Sequence, residues 1–226
     1  MAKPVIAASN VNVFRIGHVI SLGRLSGNSI KNIAMQILQG QITASLFHSF
    51  NVNLSFLEGY NIRYTEKQVK RIDENFLDYS QGFRLFLTAP SFTVPRRLAY
   101  LVHKFFSGDV SGDIGEALLV YFLVEELGLD PYHICHLRPE KRRRYLTPDF
   151  LILDPNNMLK ELINEPYNPL LYAEVKSSTG TMTAERIEKG LQQLKRVIGS
   201  KHGLLFLMEK KRGHHGYITR VIVVKR

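Results

Sequence analysis

The order of apolar segments after residue 112 constrains the fold of this chain more than any other feature. Residues 113–127 have the nearly all-round apolar pattern of a buried helix that stops at Gly128. Residues 182–198 predict a second, amphipathic helix with one apolar stripe. Strands are predicted at residues 133–137, 147–153, 170–176, 203–208 and 217–224. Helix, three strands, helix and two strands together predict an α/β fold, with a mixed sheet flanked by helices.

The N-terminal part of the chain is less regular and predicts an α+β extension. Short β-like runs lie near residues 11–16 and 46–56. Helical patterns occupy residues 30–38, 66–79 and 96–106. The 226 residues suffice for one large domain or for one domain with an appended half. We therefore predict an N-terminal region over residues 1–107, which contacts nucleic acid or a partner, and a second domain over residues 108–226.

The charge of the chain favours a polyanionic partner. Lys and Arg number 30 against 20 Asp and Glu, which gives a formal net charge of +10. Such an excess is typical of proteins that bind nucleic acid, although a basic but inert surface explains it as well. The densest basic cluster is Lys141, Arg142, Arg143 and Arg144. We predict that this cluster lies in a hairpin turn near the predicted active site and contacts nucleic-acid phosphates. The alternative is a solvent-exposed turn without a binding role.

The number of cysteines and the length of the apolar runs indicate the cellular compartment. The single cysteine, Cys135, excludes an internal disulfide and fits a reducing cytoplasm. No apolar run approaches the roughly 18 residues that a membrane helix needs. The sequence thus predicts a cytoplasmic protein without membrane contact.

Three carboxylates and one amine stand at informative places in this pattern. Glu174 and Lys176 are two residues apart on a predicted strand, so their side chains project from the same face. Asp149 follows Pro148 where another strand begins. Taken singly, each of these is also what an ordinary strand with one ion pair, or an ordinary turn, contains.

Glu116 is the third carboxylate, and its helix is apolar nearly all round. A carboxylate on a buried helix needs a cation or strong hydrogen-bond donors, because an unpaired buried charge is costly. The alternative is a capping box, with Asp113 as the N-cap and Glu116 three residues later. Both interpretations stay open at the level of the sequence.

The set as a whole fits one chemistry. Carboxylate oxygens suit Mg²⁺ or Mn²⁺. Such an ion polarises a phosphate and lowers the pKa of a water, while Lys176 would orient that water or neutralise charge in the transition state. The sequence therefore favours hydrolysis of phosphodiesters.

These motifs resemble the PD-(D/E)xK nuclease superfamily, which has the restriction-endonuclease-like fold. The motifs are Thr-Pro-Asp-Phe at residues 147–150, Ala-Glu-Val-Lys at 173–176 and Gly-Asp-Ile-Gly-Glu at 112–116. The resemblance covers residues 108–226, and the predicted order agrees with the αβββαβ core of that family. The fragments also resemble nuclease effectors of prokaryotic antiviral systems.

The resemblance implies roles for particular residues. Asp149, Glu174 and Glu116 would bind Mg²⁺ or Mn²⁺, and Lys176 would be catalytic. Val175, between Glu174 and Lys176, is also assigned to the metal site. Some members add a glutamine on the helix after the lysine, and here Gln192 and Gln193 compete. We assign that role to Gln193, which flanks the apolar stripe.

The predicted function is a metal-dependent endonuclease that prefers DNA and acts in prokaryotic restriction or antiviral defence. Cleavage of both strands would need two sites, so a homodimer or a larger defence complex is expected. The alternatives are a catalytically inactive nucleic-acid-binding or assembly module and an RNase of the same fold. A zinc site at His133, Cys135 and His136 is disfavoured, since no second pair of ligands has suitable spacing.

Overall fold

The computed structural model of the chain describes residues 9–52, 108–137, 148–178, 181–198, 202–210 and 216–226. The strands are β1 (Ser9–Ile16), β2 (Ile20–Ser21), β3 (Ala44–Val52), β4 (Ile134–His136), β5 (Phe150–Leu153), β6 (Leu170–Ser178), β7 (His202–Lys210) and β8 (Gly216–Lys225). The α-helices are α1 (Gly27–Leu38), α2 (Gly108–Tyr121), α3 (Lys160–Ile163) and α4 (Ala184–Val197). A π-helical turn, Phe122–Glu126, continues α2, and a 3-10 turn, Pro131–His133, precedes β4.

The fold is mixed α/β, with one open sheet of eight strands flanked by helices. The strand order is β3-β1-β8-β7-β6-β5-β4, and β2 pairs with the end of β8. The β1–β8 and β6–β7 pairs are parallel, and β7–β8, β5–β6 and β4–β5 are antiparallel. The predicted α/β class is confirmed, and the helices and strands predicted after residue 112 occur in the predicted order, with α3 added between β5 and β6. The restriction-endonuclease-like core stays a prediction.

Two apolar cores fill the two faces of the sheet. On one face α2 packs on alternate residues of β6 and β7, such as Val175, Leu204 and Phe206. On the other face α1 and α4 pack on the intervening residues of β7, Leu205 and Leu207. Because side chains alternate along a strand, β6 presents Ala173 and Val175 to α2, and Glu174 and Lys176 to α4. Glu174 and Lys176 thus lie on the face that α4 covers.

The described part of the N-terminal region belongs to this same sheet. β1 runs parallel to β8 and pairs on its other side with β3. Helix α1 begins after Ser26, whose hydroxyl accepts the Ser29 N–H at 3.2 Å, and packs in the same core as α4. The boundary between residues 107 and 108 stays a prediction. The helices predicted at residues 66–79 and 96–106 lie outside the described residues.

Several local predictions need correction. The strand expected from residue 147 begins at Phe150, and the loop expected over residues 154–169 contains the one-turn helix α3. The helix expected from Asp113 begins at Gly108, so Asp113 lies within it and the capping box with Glu116 is wrong. The predicted stop at Gly128 holds, since Gly128 has the left-handed φ of +72°. None of the helices in the described ranges is both long and apolar enough to cross a membrane.

Gly115 sets the distance between α2 and β6, and its replacement tests this packing. A Cβ there would lie 2.8 Å from Ser177 Cβ and 3.0 Å from Val175 Cγ1. We expect Gly115→Ala to lower the free energy of unfolding by about 1–3 kcal/mol, because the helix must move away from the strand. Urea denaturation measures the change.

Gly27→Ala is the matched control, since a Cβ at Gly27 meets nothing within 4 Å. This variant should be as stable as the wild type or slightly more stable, because alanine is the better helix former. Equal destabilisation by the two substitutions would contradict the packing argument.

Candidate active site

Two hydrogen bonds between a backbone N–H and a carboxylate join the start of β5 to β6. The Asp149 N–H donates to Glu174 Oε2 at 3.2 Å, and the Val175 N–H donates to Asp149 Oδ2 at 2.8 Å. Phe150 pairs with Ala173, so Asp149 and Glu174 are the next residues along this antiparallel pair. Each carboxylate is therefore held by the backbone of the other residue or of its neighbour.

Lys176 extends this arrangement along β6. Its ammonium group donates to Glu174 Oε1 and forms a salt bridge with that carboxylate. The Glu174 side chain is fully buried, whereas that of Lys176 keeps 18% of its surface exposed. The aliphatic part of the Lys176 side chain passes close to Gly190 of α4, where an added Cβ would lie 3.3 Å from Lys176 Cγ. The predicted placement of both side chains on one face of a strand agrees with this geometry.

Glu116 approaches the same place from α2. The close approach of Gly115 to Val175 and Ser177 brings this turn of the helix onto β6. Glu116 Oε2 lies 2.9 Å from His136 Nε2, and its side chain keeps 24% of its surface exposed. The charge of Glu116 also raises the pKa of Asp149.

Burial and repulsion between neighbouring carboxylates make Asp149 and Glu174 harder to ionise. Burial, and then the charge of Glu116, raise the pKa of Asp149 to about 6, against the opposing effects of Lys176, the Val175 N–H and His136. Burial, and then the charge of Asp149, raise the pKa of Glu174 to about 8, although Lys176 acts in the opposite direction. One ammonium group thus fails to offset the buried negative charge, which a further cation or a proton can balance.

The carboxylates of this group offer the kind of oxygen donor that a hard divalent cation prefers. Within the described part of the chain, Asp149 Oδ1 and Glu116 Oε1 have no hydrogen-bond partner, whereas both oxygens of Glu174 are engaged. Asp149 and Glu116 would hold Mg²⁺ or Mn²⁺ through these oxygens, together with Glu174. Over the same residues, no group of three or more His, Cys, Asp or Glu side chains has a ready metal-binding arrangement.

The remaining predicted residues are placed as follows. Gln193 is buried at 6% exposure on the sheet-facing side of α4, whereas Gln192 donates to Glu188 at 2.9 Å on the outer side. The basic cluster of Lys141, Arg142, Arg143 and Arg144 lies outside the described residues. Val175 takes part through its N–H, which holds Asp149. Assignment of these residues to metal or substrate stays a prediction.

His136 is the residue of the site that sequence reasoning missed. In the sequence His136 stands near His133 and Cys135, but the described residues contain no metal-holding group of three such side chains. The contact between His136 and Glu116 depends on strand register, because β4 pairs with β5 so that His136 lies opposite Phe150. The signal in the sequence was a polar residue ending a short apolar strand, which by itself does not identify a partner.

Comparisons with protein-family models, with curated proteins and with solved structures find no match.

The raised pKa values predict how stability depends on pH. Between the ordinary Glu value of 4.5 and about 8, the folded protein keeps a proton on Glu174 that the unfolded chain has lost. Stability of the metal-free protein should therefore fall as the pH rises through this window. Glu174→Gln removes the titrating group. We expect this variant to lose a few kcal/mol less stability than the wild type over the same pH range, since one pKa unit corresponds to about 1.4 kcal/mol. Chemical denaturation in EDTA at several pH values measures it.

The exposed Glu161 provides the control, because Glu161→Gln removes a carboxylate that is not buried. This variant should keep the pH dependence of the wild type. A wild-type protein whose free energy of unfolding differs by less than about 1 kcal/mol between pH 6 and pH 9 would contradict the expectation.

Proposed function

We propose that the chain is a metal-dependent nuclease with a restriction-endonuclease-like fold, which hydrolyses phosphodiester bonds and prefers DNA. The observation that carries the proposal is the joining of Asp149 to Glu174 across β5 and β6, with Lys176 bound to Glu174. The resemblance of residues 147–150, 173–176 and 112–116 to the PD-(D/E)xK motifs supports the same function. A net charge of +10 supports a nucleic-acid substrate.

Each residue has a chemical part in this proposal. Asp149, Glu174 and Glu116 would hold the cation, which would supply charge neutralisation at the scissile phosphate and would promote ionisation of the attacking water. Lys176 is the partly exposed group beside them, so it positions the water or stabilises negative charge as the phosphorus centre is attacked. Burial keeps the surrounding dielectric low, which strengthens both effects.

The raised pKa values are consistent with a site that exchanges protons for a cation. A divalent ion favours ionised carboxylates, so its binding at neutral pH would displace the proton that Glu174 otherwise retains. Metal affinity should accordingly rise with pH up to about 8. The salt bridge between Lys176 and Glu174 then has to loosen or share the carboxylate when the ion binds.

A second candidate function is a nucleic-acid-binding or assembly module whose acidic cluster is structural. The contacts of Glu174 with Lys176 and of Glu116 with His136 favour this alternative, because a structural acidic cluster would also have a partner within the protein for each carboxylate. An RNase of the same fold is the third candidate. Cytoplasmic location, a homodimer and a part in restriction or antiviral defence stay predictions.

Cleavage assays decide among these functions. We expect the wild type to degrade plasmid DNA with Mg²⁺ or Mn²⁺ and to be inactive in EDTA. Lys176→Ala, Glu174→Gln and Asp149→Asn should each lower the cleavage rate at least about 100-fold, because each removes charge or a ligand from the reacting centre. Parallel incubation with single-stranded RNA measures the substrate preference.

Glu161→Gln again serves as the control, and circular dichroism checks that every variant is folded. A control as slow as the site variants would implicate loss of folding. A folded wild type that binds DNA as the variants do, and cuts neither nucleic acid with either metal, would favour the assembly module.

A further inference from the structure

His136 ends β4 beside the acidic group, and the sheet fixes its position. In the β4–β5 register it stands opposite Phe150, and the two rings meet edge-on with centroids 5.0 Å apart. The next residue, Leu137, donates its N–H to the Asp149 carbonyl at 2.6 Å. The imidazole is therefore held by backbone pairing and ring packing, with only 13% of its side chain exposed.

The two ring nitrogens of His136 have different surroundings. Nε2 lies 2.9 Å from Glu116 Oε2, while Nδ1 is buried and has no hydrogen-bond partner among the described residues. The carboxylate beside Nε2 favours the tautomer with its proton on Nε2, and this neutral form leaves Nδ1 as a bare acceptor. In that tautomer Nε2 has no lone pair for a cation at Glu116.

The contact with His136 Nε2 restricts the orientation of the Glu116 side chain. A glutamate side chain has several rotatable bonds, and fixing one oxygen removes most of their freedom before any ligand binds. The other oxygen, Oε1, has no hydrogen-bond partner in the described ranges and stays free to take a cation. Carboxylate ligands of metals are commonly hydrogen-bonded in this way by a second residue.

We propose that His136 is a positioning residue of the metal site, which donates its Nε2–H to Glu116 Oε2 and so fixes Glu116 for binding a divalent cation with Asp149. This inference rests on the proposed nuclease function and adds a residue that the PD-(D/E)xK motifs do not contain. It assigns His136 no contact with the cation or with the phosphate.

Mn²⁺ binding to the full chain, measured by the electron paramagnetic resonance of free Mn²⁺, tests the inference without a substrate. His136→Leu should weaken Mn²⁺ binding about 10- to 100-fold, because Glu116 loses its donor. His136→Gln should lose much less, since the glutamine amide can replace Nε2–H as a donor. If His136→Leu does not fold, His136→Asn replaces it, because its shorter amide cannot reach Glu116.

His48→Leu is the matched control. His48 Nε2 lies 2.7 Å from Glu126 Oε2 in a similar pair, on β3 at the opposite edge of the sheet from β4. This variant should bind Mn²⁺ like the wild type. Pulsed electron paramagnetic resonance of Mn²⁺ bound to the wild type should show no strong hyperfine coupling to a nitrogen, because His136 does not coordinate the ion.

The outcomes separate the inference from the function on which it rests. A wild type that binds no Mn²⁺ overturns the metal-dependent function itself. A wild type that binds Mn²⁺ as tightly as His136→Leu overturns the role of His136 and leaves the nuclease proposal in place. Equal loss in His136→Gln and His136→Leu, or a directly coordinated nitrogen, would make His136 a ligand instead of a positioning residue.

Discussion

The site depends on the pair of hydrogen bonds that joins Asp149 to β6. The Asp149 N–H holds Glu174 and the Val175 N–H holds Asp149, so two carboxylates are fixed side by side where β5 begins. Neither side chain can turn away without leaving a buried backbone N–H unpaired, which is costly. The rest of the sheet keeps β5 and β6 in the register that these bonds need.

Asp149 is also the point where the two layers of the fold meet. Glu174 and Lys176 project toward α4, while Glu116 and His136 contact each other on the side of α2. The charges of Glu116, Lys176 and His136 all act on Asp149. A cluster assembled from both sides of a sheet is rigid, because moving any one member requires displacing a packed helix or a paired strand. Such an arrangement is what the proposed nuclease site would need to hold a cation and a phosphate in a fixed relation.

Pattern reasoning could reach the parts of the site that depend on local geometry. Residues two apart on a strand share a face, so the sequence alone placed Glu174 beside Lys176. The helical stripe likewise separated the buried Gln193 from the outward Gln192. The start of α2 was misjudged because Asp113 is a good N-cap residue, yet the helix continues upstream to Gly108. A favourable N-cap residue is only a weak guide to where a helix begins.

What the sequence determined by itself is the alternation of helices and strands after residue 112 and the identity of the charged residues on them, since both follow from local periodicity. Only the tertiary structure decided that Asp149 and Glu174 are joined through hydrogen bonds to β5 and β6, that His136 lies beside Glu116, and that residues 9–52 extend the same sheet. These contacts depend on strand register and on the closeness of α2 to β6 at Gly115. Such relations are set by packing between segments distant in the chain, which no local pattern encodes.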